Sequence, residues 1–307
     1  MARFLLFRLL YMCVVVIGIS ILVFTLSRMS GDPRYLYMTP GSRWSEEVWE
    51  ARGRALGLDK PLVMQYLIWA GRAVRGNFGE SVWHKRNSLD VIRERAPATI
   101  KLSGIAYLLA LPLGISLGVV SAVKRGTMTD LGVRGLALVG QAAPPFFLAL
   151  ALIVIFAVQL NWLPTSRMGG WTNYVLPVFT LVWLAAAGLA RITRSAMLEV
   201  LDTEYIKLAR AKGVGRSKVI LKHGLKNALI APLTVAAILF ANFLTGTVVV
   251  ETVFAWPGLG RLAVDATLNN DFPLVTGLVV IFTLIYLFSS LAADLFYAVI
   301  DPRIRVY

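Results

Sequence analysis

The sequence predicts an all-α membrane protein with six transmembrane helices and an extracytoplasmic helical insert after the first. Three observations carry that prediction. Of 307 residues, 57% are apolar without counting 25 glycines, and only 16% are charged, against about 25% in an ordinary soluble domain. Six uncharged stretches approach or exceed the roughly 20 residues that a helix needs to cross a bilayer. The 31 Lys and Arg, set against 17 Asp and Glu, are distributed unevenly around those stretches.

The stretches run over residues 9–26, 102–123, 135–163, 168–190, 228–250 and 272–293. The third is longer than one crossing needs, and its Pro144 and Pro145 predict a kink. With the amino end inside, one side of the membrane holds Arg3, Arg8, Lys124, Arg125, Arg134, nine basic residues between Arg191 and Lys226, and Arg303 and Arg305. The short loops on the other side hold only Arg167 and Arg261. That asymmetry places both termini in the cytoplasm by the positive-inside rule, and Arg191 and Arg194 read as positive-inside anchors. The long segment after the first span carries further basic residues outside, but a segment of its length translocates largely regardless of charge. Next to a membrane, clustered Lys and Arg face anionic headgroups before any nucleic acid. The first span reads as a retained anchor, since no small-x-small cleavage site stands before Arg28.

After that anchor, SGDPRYLYMTPG breaks regular structure with Pro33, Pro40 and two glycines. Ser45 then caps a helix running to about Leu56, with Gly57 as its stop. A second helix starts at Pro61, where Leu62, Gln65, Tyr66, Trp69 and Ala73 recur at helical spacing. Tyr66 and Trp69 suit the headgroup level, and the pair of helices reads equally as a lid that packs on the membrane surface.

Chemistry is sparse. His84 and His223 fall on opposite sides of the membrane, and the one cysteine, Cys13, lies inside the first span, so no metal site or disulfide framework is predicted. There is no Gly-x-x-x-x-Gly-Lys-Ser/Thr loop, no Gly-x-Ser-x-Gly elbow and no His-Glu-x-x-His helix. The chain is therefore read as no enzyme. The six stretches lack Asp, Glu, Lys and Arg, the residues on which ion-coupled carriers rely. Gln141, Asn242, Thr245 and Thr247 are the main polar groups at depth, suited to bonds between helices or to lining a passage. Glu251 is placed at a membrane end as a solvated charge, or as a gate. Energy for transport would then come from a partner.

The loop at 191–227 is where a partner would act. Asp202 or Thr203 can cap a short helix in which Tyr205, Leu208, Ala209 and Lys212 share a face, and Gly213 can end it in the left-handed conformation. Small Ala209 and Ala211 permit close approach. A short helix presenting an aromatic beside basic side chains suits a groove on a soluble subunit.

These residues resemble the permease subunits of bacterial ABC importers for dipeptides, oligopeptides and nickel. EYIKLARAKG from Glu204 to Gly213 resembles that family's cytoplasmic coupling motif, and HGLKNAL from His223 continues it. Gly31-Asp32-Pro33, LGLDKPLVMQY from Leu56, GNFGES from Gly76 and RAPATIKL from Arg95 precede it. Glu251 with PGLG from Pro257, NNDFP from Asn269 and DLFYAVIDPRIR from Asp294 follow in the family's order. Lys207-Leu208-Ala209 stands where the broad importer pattern has Glu-Ala-Ala, as in the peptide and nickel branch.

The resemblance implies a type I importer permease fold in the bacterial plasma (inner) membrane. It implies a second homologous permease chain, two ABC ATPase subunits holding the ATP and Mg that this chain itself does not bind, and an extracytoplasmic substrate-binding protein. Peptides are the expected cargo, with nickel or another small solute as the alternative and a self-sufficient secondary transporter or channel as the competing class. On this reading residues 1–27 are the anchor, 28–95 the insert, 96–298 the permease core and 299–307 a cytoplasmic tail. Glu204, Tyr205, Leu208, Ala209, Arg210, Lys212 and Gly213 couple to the ATPase, while Gln141, Asn242, Thr245 and Glu251 serve the passage or gate.

Overall fold

The computed structural model describes residues 2–29, 32, 34, 35, 45–165, 167–245 and 247–300. Most of the breaker stretch at 30–41, including Gly31, Pro33 and Pro40, lies outside the described residues, as does the tail with Arg303 and Arg305. Among the described residues, five helices are long and apolar enough to cross a membrane, or six if one sharply bent pair counts as a span. The chain divides into two compact units, 1–97 with 258–287 and 98–257 with 288–307.

In the first unit, helix α1 (Ala2–Met29) carries α3 (Leu62–Ala73) on its side. The Tyr66 hydroxyl lies 2.8 Å from Ser20 Oγ, and the Phe24 ring sits 5.7 Å from Tyr66 and 5.6 Å from Trp69. The two aromatics that the spacing sets at headgroup level thus both contact the anchor helix. Between them, α2 (Glu46–Ala55) starts as its chemistry demands: Ser45 Oγ accepts from the Val48 N–H at 3.4 Å. Gly57 ends it at φ 71°, with Gly57 N–H bonded to Arg54 O and Leu58 N–H to Gly53 O, the paired bonds of a Schellman motif.

The core of this unit joins the start of α4 (Ser88–Val123) to α13 (Leu259–Leu268) and α14 (Phe272–Ile300) through Val91, Ile92, Leu259, Leu262, Leu274 and Leu278. Asp271, fully buried, caps α14 by accepting from the Leu274 N–H at 3.3 Å. It also accepts from the Trp83 N–H at 3.1 Å and from the Ser81 hydroxyl, which fastens the loop before α4 to the start of α14.

In the second unit, α5 (Met128–Ala142) and α6 (Pro145–Leu152) meet at 108°. The kink predicted inside one long span is a complete break, and the pair begins at Met128 rather than at residue 135. The cause is local. Residues before proline are driven from the helical region, so Ala143 (ψ 126°) and Pro144 (ψ 139°) are both extended, and Pro145 restarts a helix at the position where proline is tolerated. A π-helical turn, Ile153–Gln159, follows.

Helix α7 (Thr172–Leu201) continues eleven residues beyond the predicted span end at 190, because nothing in 191–201 breaks a helix, while Arg191, Arg194 and Glu199 end the uncharged run there. Glycines let α4 and α5 close on it. A Cβ at Gly114 would stand 2.6 Å from Leu189 Cβ, one at Gly118 2.5 Å from Thr193 Cβ and 2.6 Å from Ala190 O, and one at Gly140 2.7 Å from Ala187 Cβ. Gly114 and Gly118, four apart, form the small-residue stripe by which membrane helices approach. Gly118→Ala is expected to destabilise the protein by about 1 to 3 kcal/mol, the scale of overpacking. Gly104→Ala in the same helix, with nothing within 4 Å, should stabilise by up to about 1 kcal/mol through helix propensity. Thermal unfolding in detergent reads both, and equal effects would contradict this packing.

Candidate functional site

The segment after α7 is built from caps and a single apolar anchor. Asp202 closes α7, Thr203 is extended at φ −73° and ψ 152°, and α8 (Glu204–Ala211) begins. Of the two predicted caps, Thr203 holds the cap position, yet its hydroxyl donates back to Val200 O at 2.6 Å instead of accepting from α8. Ile206 is 0% exposed and pins α8 down. Sequence spacing singled out the opposite face: Tyr205 is 43% and Leu208 55% exposed, with Arg210 and Lys212 exposed beside them and Ala209 half-buried. The Glu204 carboxylate accepts from Lys207 Nζ at 2.8 Å in an exposed pair of little energetic weight.

Gly213 stands at φ 76°. Its N–H bonds to Arg210 O at 3.0 Å and the Val214 N–H bonds to Ala209 O at 3.1 Å, a Schellman closure that needs a left-handed residue. The chain returns through Arg216–Lys218 (α9), a π-helical turn Val219–Leu225, Lys226–Ala228 (α10) and α11 (Ile230–Thr245). That turn lies against α7, where a Cβ at Gly224 would meet the Leu201 and Met197 side chains at ordinary contact distances of 3.4 and 3.5 Å. Asn227 Nδ2 donates to His223 O at 2.8 Å and to the Tyr205 hydroxyl at 3.2 Å. Thus α8 rests on the π turn by Tyr205 and leaves its outer face open.

A charge clamp holds the helices above it. Arg194 donates from Nε to Asp130 Oδ1 at 2.8 Å and from Nη2 to Oδ2 at 2.9 Å; Ser121 Oγ and the Gly126 N–H complete the carboxylate's shell at 2.6 and 3.1 Å. Arg194, read from the sequence as a positive-inside anchor, is committed to a buried partner. The guanidinium that Asp130 meets lies 64 residues away in the chain, out of reach of any local sequence pattern.

The four passage residues are held differently. Gln141 is exposed on α5, with one long bond from Nε2 to Ala187 O at 3.4 Å, and Asn242 is exposed on α11. Thr245 donates to Ala241 O within its own helix at 3.0 Å. Glu251, on α12 (Val248–Val253), corrects the expectation of a solvated charge at a membrane end: it is 0% exposed, and Oε1 accepts from Thr99 Oγ1 at 2.7 Å and Thr247 Oγ1 at 2.9 Å. Two hydroxyls replace the water that the carboxylate loses. Next to it, Trp256 donates from Nε1 to Ala98 O at 3.0 Å and from its backbone to Glu251 O at 2.7 Å, and its ring meets Tyr174 at 4.7 Å. Glu251→Ala is expected to cost about 2 to 3 kcal/mol by orphaning both hydroxyls. Glu251→Gln, which keeps an acceptor oxygen, should cost less; unfolding midpoints of the two variants decide.

The chain is 37% identical to the oligopeptide transport system permease protein AppB of Bacillus subtilis (strain 168), with 99% of this chain and 100% of that one covered. It is 39% identical to the glutathione transport system permease protein GsiC of Escherichia coli (strain K12), with 94% of each covered. The MetNI methionine ABC transporter in an inward-facing conformation superposes with a TM-score of 0.58 at 18% identity, over 69% of this chain and 96% of that one, a likeness of fold. An N-terminal membrane component of binding-protein-dependent transport systems matches residues 1–103. With the binding-protein-dependent transport system inner membrane component matching residues 114–306, this chain, broken helix, clamp and short exposed α8 included, belongs to that family of ABC permeases.

Proposed function

We propose that the chain is the permease subunit of an ATP-driven importer, forming with a second homologous permease the passage for dipeptides or oligopeptides delivered by an extracytoplasmic binding protein. The peptide assignment follows the kinship to oligopeptide and glutathione permeases. ATP and Mg belong to two partner ATPase subunits, since the sequence has no phosphate-cradling loop of its own. Both termini lie in the cytoplasm, on the side of the basic loops.

The observation that carries the coupling role is α8 itself: a helix of eight residues, anchored by buried Ile206 and closed by Gly213, offering Tyr205 and Leu208 amid Arg210 and Lys212. A groove on each ATPase subunit takes that face. Closure of the paired ATPases moves α8, and the rigid α7 carries the displacement toward the passage, rocking it between inward and outward access. Gln141 and Asn242 line that passage with Thr245, and the Glu251 knot holds its wall. Gentle detergent purification of the tagged chain from its own cells, with the co-purifying proteins counted by mass spectrometry, is the test. Two ATPase copies, one sibling permease and a captured binding protein are expected; the chain alone or as a homo-oligomer would overturn the proposal.

A further inference from the structure

Helices α4, α5 and α7 enclose an apolar groove that ends in a basic cup. The cup, about 200 Å³, is lined by Ser121, Arg134, Gln141, Arg191, Arg194 and Ser195. The adjoining groove, about 160 Å³, is lined by Leu113, Leu117, Leu136, Phe179, Trp183 and Ala186. The two share Val133, Ala137 and Ala190 and are therefore continuous. Arg194 is occupied by Asp130, whereas Arg134 and Arg191 are exposed and enter no ion pair among the described residues. From Arg191 back to Phe179 is twelve residues, about 18 Å of helix, close to the ~15 Å of one leaflet of a ~30 Å hydrocarbon core.

We infer that this groove binds an anionic phospholipid, with its phosphate in the cup against Arg134 and Arg191 and one acyl chain along Leu117, Trp183 and Phe179. Basic pockets between membrane helices are the recognised setting for anionic headgroups, and the groove opens from helices that lie in the bilayer. The charge complementarity is specific to an amphiphile. A peptide would set its ammonium beside two guanidiniums or place polar backbone in a groove walled by Leu, Val, Ala, Phe and Trp, where no acceptor is offered. The exposed hydroxyl of Ser195 adds a donor beside the same phosphate. The site does not depend on the identity of the transported solute or on which partners bind α8.

Trp183 makes the site observable. The full chain, in the assembly with which it purifies, is placed in phosphatidylcholine nanodiscs doped with brominated phosphatidylglycerol or brominated phosphatidylcholine. The quenching due to Trp183 is read as the difference between the unaltered protein and Trp183→Phe. Two guanidiniums near a phosphate favour the anionic lipid by about 30-fold, so Trp183 should be quenched at correspondingly lower fractions of phosphatidylglycerol. Arg134→Gln/Arg191→Gln should remove that preference, and Lys218→Gln/Lys222→Gln, equal in charge change, should keep it. Native mass spectrometry of the unaltered protein, which needs no variant, should find phosphatidylglycerol retained. Equal quenching by both lipids, a preference that survives the arginine pair, its loss in the lysine pair, or no quenching at all would overturn the site. The last result would mean that a helix of another subunit or the cargo fills the groove.

Discussion

With Gly213 replaced by valine, peptide uptake is expected to fall by about tenfold or more while the chain still reaches the membrane at its normal level. The reason is confined to the backbone. Gly213 sits at φ 76°, and a Cβ there would meet nothing within 4 Å, so valine has room but not the conformation. A left-handed residue with a side chain costs roughly 1–2 kcal/mol, and a β-branched one is a more severe outlier. Relieving that strain breaks the bonds from Gly213 and Val214 to Arg210 and Ala209, so the end of α8 unwinds just where Leu208 and Lys212 present its outer face. The membrane-spanning helices are untouched, which is why expression persists. Gly213→Asn, tolerated in the left-handed region, should retain most uptake. A fully active valine variant would remove α8 from the coupling pathway.

Asp130→Ala is expected to lower stability by about 3 kcal/mol, because it leaves the guanidinium of Arg194 without its carboxylate and orphans the Ser121 hydroxyl and the Gly126 N–H. The double variant Asp130→Leu/Arg194→Met removes both charges together, and should recover a large part of that loss, since apolar replacement of a buried pair is often neutral. Unfolding of Asp130→Leu, Arg194→Met and the double in detergent gives the coupling energy. Losses that simply add would show that the four-membered clamp does not hold α5 to α7.

Much of the architecture is legible in short stretches of sequence. Ser45 and Gly57 bracket α2, Pro61 precedes α3, and Gly213 ends α8, each through chemistry acting within four or five residues. The apolar runs mark the membrane helices for the same reason: burial in lipid is a property of consecutive residues. Pro144 and Pro145 signalled an interruption, but its size, 108°, depended on two successive residues being driven into extended backbone.

The rest depends on partners far apart in the chain. Glu251 reads as a solvated end charge until Thr99, 152 residues away, is seen to donate to it. Arg194 reads only as a positive-inside anchor until Asp130 faces it, and nothing local marks Ile206 as the buried residue of α8. Gly114 and Gly118 acquire meaning only against α7. Transfer of a helix into lipid, its capping and its breaks are local free energies, set by runs of neighbouring residues. The fate of a charge or the distance of closest approach of two helices is set by whichever atoms arrive from elsewhere, and only the folded chain decides that.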